Sequence, residues 1–74
     1  MKLAPESPFG WVTRSFALHV LKRTDEALNN LLPATLHFPD EIVIRYNLAC
    51  YECTLGNMGR AKARLAEAFD LAAR

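Results

Sequence analysis

The chain has 74 residues, with 9 Lys and Arg against 8 Asp and Glu, a net charge of +1 and a hydrophobic fraction of 51%. That length allows one domain, which buries only about 60% of the surface its unfolded chain exposes. The apolar fraction excludes a disordered chain, and the near-neutral charge leaves no overall field to attract nucleic acid or an anionic membrane.

Glycine is scarce and alanine and leucine dominate the second half, so the predicted elements are helices. Ser7-Pro8 supplies a cap and a first-turn proline for a helix over about 8–21. Thr24 is expected to cap a second over about 24–37, with Asp25 and Glu26 suiting its N-terminus and Pro33 removing a backbone bond and kinking it. Pro39-Asp40-Glu41 ends that helix and begins a third over about 40–55. The run LGNMG, residues 55–59, then stops the third with glycine and caps a fourth, about 58–73, with Asn57. The connections are short, so the expected fold class is all-α, four helices with antiparallel neighbours. No apolar run approaches the ~18 residues of a membrane span, and residues 1–10 lack the apolar stretch of a secretory leader, so a cytoplasmic chain is expected.

The chain also repeats. Ala27, Leu31 and Ala34 return 34 residues later as Ala61, Leu65 and Ala68, Leu21 returns as Leu55, and the small Ser15 returns as Ala49. A 34-residue unit of helix, tight turn and helix resembles the tetratricopeptide repeat, with one unit over about 8–41 and a second over about 42–74. Trp11 matches that family's early aromatic, Asn47-Leu48-Ala49 its first-helix run, Gly56 its turn and Pro39 its closing proline. Departures stand at Arg14, Lys22, Arg45, Glu52 and Ala73, where the family has leucine, glycine, an aromatic, tyrosine and proline.

The resemblance implies an interaction module without enzymatic activity or cofactor. Its partner would be a protein or peptide, lying in a concave groove lined by the first helix of each unit. In this chain the groove residues would be Phe9, Val12, Thr13, Phe16 and His19 from one helix and Tyr46, Asn47 and Cys50 from the other, with part of the stripe serving as plain core. Some relatives clamp a C-terminal carboxylate with lysine and asparagine. Asn47 fits that pattern and Val12 and Phe16 do not.

Repeats bury their apolar faces on one another, and two are fewer than usual. The last helix is apolar almost all round, which predicts self-association as a dimer through Phe69 and Leu71.

Cys50 and Cys53 form the one CxxC of the sequence. They fall in mid-helix rather than at a helix N-terminus, and i,i+3 placement suits a disulfide poorly. His19 and His37 lack zinc-site spacing, so packing or groove lining is the expected role, and no metal is expected. The alternative is a small metal- or thiol-dependent protein using both cysteines and His19. Phosphate-loop and hydrolase motifs are absent, and the carboxylates read as caps and solvated charge, Glu52 being placed to pair with a basic neighbour. Arg60, Lys62, Arg64 and Arg74 cluster on the last helix, although no nucleic-acid partner is expected.

Overall fold

The computed structural model describes residues 7–73, and these form helices joined by tight turns. Helix α1 spans Pro8–Val20, α2 Thr24–Leu31, α3 Ala34–His37, α4 Ile42–Thr54 and α5 Met58–Ala72. The fold is all-α. Helix α1 packs on α2 and α4 on α5, each as a helix-turn-helix pair, and α2 joins the pairs by lying against α4. Helix α5 packs chiefly on α4.

Local chemistry explains most of the boundaries. The Ser7 hydroxyl accepts from the Gly10 amide at 3.3 Å and Pro8 occupies the first turn, as the sequence predicts. The expected second helix is interrupted at Pro33, where the ring removes a donor. The chain then tightens, with the Thr35 and Leu36 amides donating to the Leu32 and Pro33 carbonyls at 3.1 and 3.0 Å, before the single turn of α3.

Three local expectations are corrected. Thr24 is the first residue of α2 and not its cap, because its hydroxyl is hydrogen-bonded to Nδ1 of His19 at 2.9 Å. Helix α4 starts at Ile42 and not at residue 40, since Glu41 is extended and precedes the first turn. Asn57 does precede α5, but its side chain donates to the buried carboxyl of Glu52 at 2.9 Å, leaving the helix amides without a side-chain cap. For Glu52, too, the carboxyl meets this amide and not the expected basic side chain.

The two pairs turn in the same way. After α1 the Arg23 amide donates to the Leu18 carbonyl at 3.0 Å and the Lys22 amide to His19 at 2.9 Å. After α4 the Asn57 amide donates to Glu52 at 2.8 Å and the Gly56 amide to Cys53 at 3.0 Å. Both are Schellman closures, which need one left-handed residue, and Lys22 at φ 64° and Gly56 at φ 84° supply it 34 positions apart. Only the second position holds the residue that adopts this conformation without a steric penalty. Lys22→Gly is therefore expected to raise stability by about 0.5 kcal/mol and Gly56→Ala to lower it by about 1 kcal/mol. The space around Gly56 is open, so a Cβ there meets nothing and the cost is conformational alone. Chemical denaturation of both variants checks the pair of signs, and a shift in the same direction for both would refute it.

The core lies where α2 meets α4. Ala27, Leu28, Leu31 and Ala34 pack on Ile44, Leu48 and Tyr51, with Trp11, Val12, Leu18, Leu32 and Phe38 at its margin. Alanine at 27 lets the helix axes approach, and Ile44, Leu48 and Tyr51 share one face of α4 at i, i+4 and i+7.

Candidate functional site

At the seam between α1 and α4 the core turns polar. Ser15 is fully buried and donates its hydroxyl to the Val12 carbonyl at 2.9 Å, so the Tyr51 hydroxyl, 2.9 Å away, is the donor to Ser15. The His19 ring lies against Tyr51, centroids 5.1 Å apart, while its Nδ1 meets Thr24. Burial pushes the Tyr51 phenol above its ordinary pKa. These groups satisfy one another and fix the register of α1 on α4.

The expected groove residues divide among three settings. Phe9, Thr13 and Phe16 are exposed on α1, Phe16 at 52%, and Tyr46 is 55% exposed on α4. Val12 packs against the core, and the Asn47 amide turns back onto the Val43 carbonyl of its own helix at 2.8 Å. His19 is committed to Thr24 and Tyr51. It also lines, with Val20, Lys22, Asp25, Thr54 and others, a cleft of about 460 Å³ where the end of α4 meets the α1–α2 turn.

The cysteines are free and exposed. Cys53 follows Tyr51 by two residues, so the two point to nearly opposite sides of α4. His19 accordingly lies on the α1 side, whereas Cys50 and Cys53 face α5. Among the described residues no three His, Cys, Asp or Glu side chains are grouped to hold a metal ion. The three-ligand cluster of the alternative reading is therefore not assembled.

The side of α4 that carries the cysteines forms, with α5, an apolar trough of about 220 Å³. Tyr46, Cys50 and Cys53 form one wall, Met58, Lys62 and Leu65 the other, and Ala49 and Ala61 the floor. Its size falls below the ~300–1,000 Å³ usual for small-molecule sites. Tyr46 and Cys50 were legible as surface residues, but the trough itself was not. The small-residue pair Ala49 and Ala61, matching Ser15 and Ala27 at the repeat distance, is the signal that marks its floor.

The two residues assigned to self-association separate. Phe69 is 69% exposed, whereas Leu71 is half-buried and lines a polar cleft with Pro39, Asp40, Arg45, Glu67 and Asp70. In that cleft Arg45 Nε lies 3.5 Å from the Glu67 carboxylate, which Arg64 also approaches at 3.8 Å. Part of the basic cluster on α5 is thereby paired within the chain, and Arg74 lies outside the described residues. No helix among the described residues is long and apolar enough to cross a membrane.

No protein-family model, curated protein or solved structure matches the chain.

Proposed function

We propose that this chain is a non-enzymatic, tetratricopeptide-like interaction module of the cytoplasm that binds a peptide or helix of another protein. The observation that carries this reading is the exposure of large apolar side chains, Phe9 and Phe16 on α1 and Tyr46 on α4, along the first helix of each pair. Exposed aromatics of this size cost solubility unless a partner covers them. The matched Schellman turns and the repeated Ala-Leu-Ala positions support the family reading, and the two free thiols suit a reducing compartment.

The test uses the chain as an immobilised bait and identifies retained proteins by mass spectrometry. Phe16→Asp and Tyr46→Asp are each expected to reduce retention of a specific partner at least tenfold with the helical circular dichroism unchanged, as loss of a central aromatic anchor does. Retention unaffected by both substitutions would remove the groove from the proposal.

A further inference from the structure

We infer that the trough between α4 and α5 is a second docking site, distinct from the α1 aromatics, and that its occupant is an amphipathic helix of a partner protein built like α4 itself. Ala49, Cys53, Met58, Ala61, Lys62 and Leu65, which line the trough, stand 34 positions after Ser15, His19, Thr24, Ala27, Leu28 and Leu31. Five of the latter six form the surface on which α4 lies: Ser15 and His19 meet Tyr51, and Ala27, Leu28 and Leu31 cluster with Ile44, Leu48 and Tyr51, while Thr24 holds the His19 ring. The second pair thus repeats, in register, the seat that the first pair offers to α4, and within the chain its place is filled by no helix among the described residues.

The lining states what fits. The seat keeps its shape, with alanine at 61 as at 27 on the floor and leucine at 65 as at 31 on the wall, so a helix can approach as closely as α4 does. Its large apolar side chains would fall at i, i+4 and i+7, the spacing of Ile44, Leu48 and Tyr51. The hydroxyl and imidazole that meet Tyr51 are replaced by Ala49 and Cys53. A phenol there would be buried without a partner, and leucine or methionine suits the third position better. Lys62, exposed where Leu28 is buried, favours a carboxylate beside that stripe.

A second copy stacked in the same register is a poor occupant. Its α1 would present Gly10, Arg14 and Ala17 where α4 presents Ile44, Leu48 and Tyr51. That face brings no large apolar group and a guanidinium to desolvate.

The probe is a synthetic peptide copying residues 41–55 with Tyr51→Leu, Cys50→Ser and Cys53→Ser. It is added to the intact chain while a bulky maleimide alkylates Cys50 and Cys53, which line the seat. Peptide at about ten times its dissociation constant is expected to slow alkylation about tenfold. A peptide that also carries Ile44→Glu and Leu48→Glu should give no protection. Met58→Glu and Leu65→Glu in the protein should abolish protection, whereas Phe16→Asp should leave it intact. That contrast separates this site from the α1 aromatics, whose failure would not affect it, whereas Tyr46, which also lines the trough, does not tell the two apart. Unchanged alkylation at millimolar peptide, with the chain folded, would overturn the inference. So would thiols that become protected without peptide as protein concentration rises, which would assign the seat to a second copy.

Discussion

Leu48→Ala is expected to destabilise the chain by about 3 kcal/mol, within the range for leucine truncation at a site that cannot collapse. Leu48 is completely buried between α2 and α4, and its methyl groups meet the same cluster as Leu31 and Ile44. In a domain of this size each kcal/mol moves the melting temperature by roughly 4–8 °C, so a fall on the order of 15 °C should appear in a thermal melt. Small domains hold only about 5–15 kcal/mol in total, and a further core truncation such as Ile44→Ala would leave the chain largely unfolded at 37 °C. A drop of less than about 1 kcal/mol for Leu48→Ala would show that the α2–α4 seam does not hold the two helix pairs together.

The second large effect is expected at Asn57, where two explanations of one residue give opposite results. As a helix cap, asparagine is interchangeable with aspartate, and Asn57→Asp would be neutral. In this fold the Asn57 side chain instead donates to the Glu52 carboxyl, which is 1% exposed. Asn57→Asp removes that donor and sets acceptor against acceptor, so a cost of about 2 kcal/mol is expected at neutral pH. Urea unfolding of the wild type, Asn57→Asp and the double variant with Glu52→Gln distinguishes the two. A glutamine at 52 can donate to the new aspartate and should recover most of the loss. Neutrality of Asn57→Asp alone would return the residue to the role of a simple cap.

These two positions also show what was legible beforehand. The helical class, a kink at Pro33 and the 34-residue correspondence could be read because they rest on local chemistry: proline geometry, a left-handed turn residue and small side chains at a fixed interval; that the kink divides the helix into α2 and α3 could not. Side-chain choices between equivalent partners could not. Thr24 and Asn57 are good caps by type, yet each is drawn to a group that is distant in the helical pattern and adjacent only once the turn closes. Tyr51 was silent in the sequence for the same reason, since its hydroxyl acquires a role only through Ser15, 36 residues earlier. Of the candidate sites, the exposed aromatics were readable from spacing along α1 and α4. The trough needed the knowledge that α5 leans on α4 so as to repeat the seat of the first pair.

The layering has a consequence for how the molecule comes apart. The Cα framework measures 36 × 29 × 15 Å, a slab hardly thicker than a pair of packed helices, and α5 is fastened to it chiefly along α4. Helices α1, α2 and α4 share one core to which α5 contributes no side chain, so opening of α5 alone is expected to leave that core in place. A helix seated against α4 and α5 together would act as a clasp, tying α5 and the shared core into one cooperative unit.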